Sequence, residues 1–168
     1  MRKYQNSIIL FLLLVIGGLL FFINQKETET PKGKRIIHFR EAEIINPVQG
    51  QKFDPAWFDS EYQVIAYTEF IGDFSIITYD WNSYFDANPE IEFIFYYSGK
   101  DKEKLVKWMG KNEFRRPVLF DPEKVFYNQN VTGNTSSIVF NLKNGIVQFL
   151  ENPSFPNYQE YLDELKEK

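Results

Sequence analysis

The chain contains no cysteine. That absence removes disulfides, thiolate nucleophiles, Cys-ligated zinc and a lipid-modified N-terminal cysteine. Histidine is nearly as scarce, with His38 the one copy. A multi-histidine metal site is excluded, and a His-dependent triad would rest on that residue alone. Basic residues are outnumbered, 19 Lys and Arg against 23 Asp and Glu, for a formal net charge of -4. Arg2 and Lys3 precede an apolar run, so the remainder is more acidic still. Nucleic-acid backbones need a basic face, and nucleic acid is not expected as a partner. There is no Gly-rich phosphate loop and no Gly-x-Ser-x-Gly, and no cofactor is expected.

Aromatic residues are abundant, with 17 Phe and 10 Tyr in 168 residues. Each buries a large area, so a sizeable core is within reach of one domain of ordinary length. Residues 7–23 read SIILFLLLVIGGLLFFI without a charge. At helical rise this run reaches about 25 Å, near the short end of what spans a bilayer. Phe21, Phe22, Ile23 and Asn24 are mostly bulky, unlike a cleavage site, so the run is expected to stay as a transmembrane signal-anchor helix. Arg2 and Lys3 favour a cytoplasmic N-terminus, which places the domain outside the cytoplasm, held by a single pass. Lys26, Lys32, Lys34 and Arg35 on the far side weaken that argument. Residues 24–33 are polar, with Pro31 and Gly33, and read as a linker to a domain over 34–168.

Along the domain, 34–39 (KRIIHF) predicts a short strand and 46–60 a loop, marked by Asn46-Pro47, Gly50 and Asp54-Pro55. The near-continuous apolar runs 62–70 (YQVIAYTEF) and 91–97 (IEFIFYY) suit strands buried on both faces. Between them 75–87 predicts a helix with Ile77, Trp81, Tyr84 and Phe85 on one stripe, capped by Ser75 or Asp73 and stopped by Asn88-Pro89. A second helix is expected over 101–112, with Leu105, Val106 and Met109 inward and a solvated face of Lys102, Lys104, Lys107 and Lys111. A short strand over 118–120, a short helix up to Tyr127, and a hairpin of 137–142 and 146–150 through Lys143-Asn144-Gly145 follow. The terminal helix carries Tyr158, Tyr161, Leu162 and Leu165 on one face. The order β, β-α-β-α-β, hairpin, α predicts an α/β fold with a mixed sheet flanked by helices.

These residues resemble thioredoxin-like proteins of the redoxin type, especially the membrane-attached ones of Bacteroidetes. GKRIIHF, YQVIAYTEF, the helix with Trp81, IEFIFYY, RPVLFDPEKVFY and SSIVFNLKNGIVQFL carry the likeness by order and spacing. The family places a Cys-x-x-Cys pair where the first βα unit turns from strand into helix. Here that stretch is Ile71-Gly72-Asp73-Phe74, with Ile71 and Phe74 standing where the two cysteines would be. Neither exchanges a disulfide or reduces a peroxide. The family's cis-proline loop falls in Gly133-Asn134-Thr135-Ser136, without the proline. The resemblance therefore implies a cysteine-less, degenerate member. Its turn, with Asn134 and Thr135, would be a candidate binding groove for a protein or peptide.

Other residues have blander readings beside the chemical ones. Asp73 could be a general base, but capping explains it. Glu69 could pair with it, yet no third ligand for a cation is evident. His38 is more often a satisfied histidine than a catalytic one. Asn130-Val131-Thr132 and Asn134-Thr135-Ser136 fit the glycosylation pattern and are expected to be idle. Phe53, Trp57 and Phe58 lie in a loop and could form an exposed contact surface. The sequence reads as a redox-inactive binding or scaffolding module held at a membrane. An enzyme of non-thiol chemistry using Asp73, Glu69 or His38 stays open as the alternative.

Overall fold

A computed structural model describes residues 32–167. The apolar run over 7–23 and most of the expected linker lie outside these residues. Among the described residues, no helix is long and apolar enough to cross a membrane.

Six strands form one sheet: β1 (Glu43–Ile45), β2 (Tyr62–Thr68), β3 (Glu92–Tyr97), β4 (Val118–Phe120), β5 (Ser137–Lys143) and β6 (Ile146–Phe149). Their order is β1-β4-β3-β2-β5-β6. β2, β3 and β4 run parallel, and β1, β5 and β6 are antiparallel to their neighbours. The helices are α1 (Trp81–Ala87), α2 (Lys102–Lys111), α3 (Val125–Asn130) and α4 (Tyr158–Glu167).

Period-two alternation splits the core between the two faces of the sheet. Val64, Ala66, Phe93, Phe95 and Tyr97 point to one face, under Trp81 and Phe85 of α1, Leu105 and Met109 of α2, and Tyr158, Leu162 and Leu165 of α4. Ile65, Tyr67, Ile94, Tyr96, Phe140 and Leu142 point to the other, covered by Phe126 of α3 and by Trp57 and Phe58. Covering both faces is why the central strands carry almost no polar residue. Asn141 is an exception, and its buried Oδ1 accepts from the Tyr158 hydroxyl at 2.8 Å. The hairpin turns on Asn144 (φ 53) and Gly145 (φ 74), two left-handed residues that match the twist of the flanking strands.

Several expectations are corrected. The predicted strand over 34–39 is reduced to a single bridge, Arg35 to Ile146; the strand that precedes the βα units is β1, antiparallel at one edge, while β6 of the hairpin forms the other antiparallel edge. Trp57 and Phe58 are buried, so they are no exposed contact surface. Asp54 accepts from Ala56 N at 2.9 Å and Pro55 starts a 3-10 turn over Pro55–Asp59, which folds both rings onto the sheet. Val106 faces outward, 47% exposed. The lysine face is partly engaged: Lys102 pairs with Glu43, and Lys104 Nζ donates to Ile71 O at 3.0 Å.

The helix predicted over 75–87 is broken. Ile76–Thr78 is a 3-10 turn, Tyr79 is extended, and α1 begins only at Trp81. Ile76, Ile77 and Thr78 are β-branched and poor helix formers. Thr78 Oγ1 contacts Gly72 O at 3.2 Å and Ser75 O at 2.7 Å, competing with helical bonding. The Trp81 indole donates to Ile76 O at 2.8 Å and locks the break. Neither Ser75 nor Asp73 is a side-chain cap of α1; Asp80 stands at that position.

Candidate functional site

Parallel strands β2, β3 and β4 end at one pole of the sheet, and β5 starts there. Thr68 faces Ser137 in the register, and Glu69 N donates to Ser136 O at 2.9 Å. The segments 71–74 and 134–135, far apart in sequence, are thereby brought to the same end of the fold. Thr135 is held there by Oγ1 donating to Ser137 O at 2.8 Å and by its N–H donating to the Tyr127 hydroxyl at 3.2 Å. Asn134 is exposed.

Within the turn, Ile71 is buried with the core and its carbonyl takes the Lys104 ammonium. Phe74 is 92% exposed, the most exposed large apolar residue described, and Phe70 is 37% exposed. Ile71 and Phe74 thus project to opposite sides. Gly72 and Asp73 are exposed or half-exposed between them, and Ser75 N closes the turn on Gly72 O at 2.9 Å.

Three hydroxyls that sequence reasoning missed brace this pole. Thr68 Oγ1 lies 3.0 Å from Ser75 Oγ and 2.9 Å from Ser137 Oγ, and Ser75 Oγ donates to Phe70 O at 2.6 Å. Each hydroxyl has one proton, so a consistent chain runs Ser137 to Thr68 to Ser75 to Phe70 O. The only sequence signal was a polar residue ending an apolar strand.

Of the titratable groups nearby, Glu69 and Asp121 are committed to structural partners, while Asp73 is exposed in the turn. Glu69 takes the Tyr67 hydroxyl at 3.0 Å and pairs with Lys124 at 2.6 Å, not with Asp73. Burial, with Glu69 alongside, pushes the Tyr67 phenol well above its ordinary range. Gly99 leaves room for this packing: a Cβ there would meet Tyr97 Oη at 2.1 Å and Glu69 O at 2.8 Å. The Asp121 carboxylate receives Val125 N and Phe126 N, each at 2.9 Å, and burial raises its pKa despite those bonds. His38 lies against the Phe58 ring, centroids 4.6 Å apart. Burial, aided by Arg40, pushes its pKa down to about 4, so it is neutral near pH 7. Asp73, Glu69 and His38 keep separate surroundings and share no hydrogen bond. Among the described residues, no three His, Asp or Glu side chains gather as a metal site.

Of the two glycosylation patterns, Asn130 is spent in the fold: its amide bonds Ile37 N at 2.7 Å and Ile37 O at 2.8 Å.

No protein-family profile matches the chain, and no curated protein matches it in sequence. Solved structures do match in shape. A thioredoxin-like protein in its oxidised form aligns with TM-score 0.60 and 8% identity, over 80% of this chain and 94% of that one. A reduced 2-Cys peroxiredoxin of Plasmodium vivax gives 0.57 and 20%, over 82% and 95%. A secreted disulfide oxidoreductase of Mycobacterium tuberculosis gives 0.54 and 14%, over 76% and 96%. The chain therefore has a thioredoxin-like α/β fold without a single cysteine to carry that fold's redox chemistry.

Proposed function

We propose that this domain is a non-catalytic recognition module that binds a protein or peptide at the pole of β2, held near a membrane by residues 7–23. The observation that carries the reading is Phe74. It is 92% exposed on a turn whose every neighbouring segment is fixed by hydrogen bonds. An exposed phenyl ring on a braced turn gives a partner a large apolar contact at little entropic cost. The same pole has no thiol; Glu69 is occupied by Lys124 and Tyr67, Asp121 by backbone amides, and the exposed Asp73 shares no hydrogen bond with either. Binding is thus favoured over non-thiol catalysis. On this reading the domain faces the periplasm, and a reporter active only outside the cytoplasm, fused after Lys168, is active.

The test is a photo-crosslinking side chain placed at Phe74 and, separately, at Val48, in cells. Val48 is 89% exposed but sits beside Met109 and Gly110 at the far end of α2. One discrete adduct from position 74 and none from 48 is expected. Equal adducts from both positions, or none from 74, overturn the reading.

A further inference from the structure

An open groove of about 490 Å³ lies between α1 and the segment that leads into α4. It shares no residue with 71–74 or 134–135, so it stands apart from the binding reading of that pole. Tyr79, Tyr84 and Pro153 supply its apolar walls, and Asp80 lies among them. Tyr79 and Asp80 also line an adjoining hollow of about 230 Å³ that contains Trp108. Among the described residues, no Lys or Arg lines either space.

The wall is held in place before any ligand arrives. The Tyr84 ring packs edge-on against Tyr158, centroids 5.2 Å apart, and against Trp81 at 6.1 Å. Asp80 and Tyr84 line the same groove, and burial together with the charge of Asp80 raises the Tyr84 phenol pKa.

The hydrogen-bonding balance then selects the ligand. In the groove itself the Gln159 amide spends both protons inside the protein, on Asn88 and Asp163; in the adjoining hollow Asn82 Nδ2 gives one proton to Glu113 O and Asn112 Nδ2 one to Trp108 O. The Ser83 hydroxyl is turned to Asp80 itself. Among the described residues Asp80 has no cationic partner; its hydrogen bonds are to Ser83, three positions on. What remains is an uncompensated carboxylate flanked by two phenol rings. An anion is repelled there. A cation with its own N–H donors satisfies the carboxylate and lies on ring faces that attract positive charge.

We propose that this groove binds a primary ammonium group on an apolar stem, with the ammonium at Asp80 and the stem across Tyr79 and Tyr84. The chemistry is that of a lysine side chain in a polypeptide or of a free aliphatic amine.

The test uses the full chain in detergent micelles with fluorotyrosine at its 10 tyrosines, read by fluorine NMR. The Tyr79 and Tyr84 signals are assigned by Tyr79→Phe and Tyr84→Phe. The probes are n-butylamine, Nα-acetyl-lysine methylamide, its Nε-acetylated and therefore neutral form, and cellobiose. Saturable shifts of both signals with the two cations, and not with the two neutral probes, are expected. Preference for the lysine derivative points to a polypeptide source, and preference for butylamine to a free amine; both support the site. Asp80→Asn should weaken binding about tenfold or more. Because Asp80 also receives Ser83, Tyr79→Ala serves as a second variant, at a side chain 38% exposed, and should weaken binding as well. Shifts as large with the neutral probes, no saturable shift with either cation, or unchanged affinity in folded Asp80→Asn and Tyr79→Ala overturn the proposal.

Discussion

Replacing Thr68 by valine removes one hydroxyl at almost constant volume. Thr68 is 1% exposed, so no water shares its place. In the hydroxyl chain it is the middle link, between Ser137 Oγ at 2.9 Å and Ser75 Oγ at 3.0 Å. Valine leaves Ser75 still donating to Phe70 O at 2.6 Å, so that buried proton keeps its acceptor. Ser137 loses its acceptor, but it is half-buried and can turn to solvent. Phe70 N, which donates to Thr68 Oγ1 at 3.4 Å, also loses its acceptor, but it belongs to a residue 37% exposed, so the cost stays nearer the net value of lost hydrogen bonds than the full penalty of a buried orphaned donor, about 1–2 kcal/mol. For a domain of this size that lowers Tm by roughly 3–10 °C. Thr68→Ser keeps the chain of protons and loses only a methyl group, about 1 kcal/mol or less. The assay is chemical denaturation with amide hydrogen exchange. Thr68→Val should speed exchange at residues 71–77 more than in β3, because the loosened element is the turn. A Thr68→Val protein within about 0.3 kcal/mol of the parent, with unchanged exchange in the turn, refutes the bracing argument.

Below about pH 6.5 the unfolded chain protonates His38, whereas the folded chain resists until about pH 4. Stability from this group is complete above the upper value and is lost as pH falls toward the lower one, by roughly 2–3 kcal/mol. Denaturation of His38→Leu should show a flatter pH slope across that window, and an unchanged slope discounts the burial of the imidazole. Arg116 pairs with Glu92 at 3.2 Å and lies 5.1 Å from both the Trp57 and Phe85 ring centroids. Arg116→Ala should cost about 3–5 kcal/mol, with part recovered by Arg116→Met combined with Glu92→Gln; no recovery would show that packing rather than charge is at stake. The spacing of 71 and 74 suggests that cysteines placed there would pair. Ile71 points into the core and Phe74 into solvent, so the double variant Ile71→Cys, Phe74→Cys should keep two free thiols under mild oxidant. Rapid disulfide formation would mean the turn rearranges.

The strands were legible because burial on both faces writes the same signal into every position. VIAY in β2 and FIFYY in β3 admit few other readings, and Asn144-Gly145 names its own turn. Errors came where a distant partner decides. Trp57 and Phe58 look like loop aromatics until the sheet face that receives them exists. Val106 fits the inward stripe of α2, yet the helix rotates it outward to bury Leu105 and Met109. The stripe of Ile77, Trp81 and Phe85 is real, but a 3-10 turn followed by a helix places these side chains on one core as well as a continuous helix would. Periodicity records which residues face the core and is blind to the break between them.

That break determines what the pole can do. In a thioredoxin-like active site the helix start lies directly beneath the reactive pair, and the helix N-terminus favours the thiolate. In this chain α1 starts at Trp81, seven residues beyond Phe74, with a 3-10 turn and an extended residue between. No helix start supports an anion at 71–74, and no cysteine stands there. The bonds at this pole are neutral: the Thr68, Ser75 and Ser137 hydroxyls tie the end of β2, the turn and the start of β5 together. A helix start beneath the turn would favour an anion there. A turn without one, whose backbone is held by neutral bonds with a phenyl ring outside, suits the contact with a partner that we propose for it.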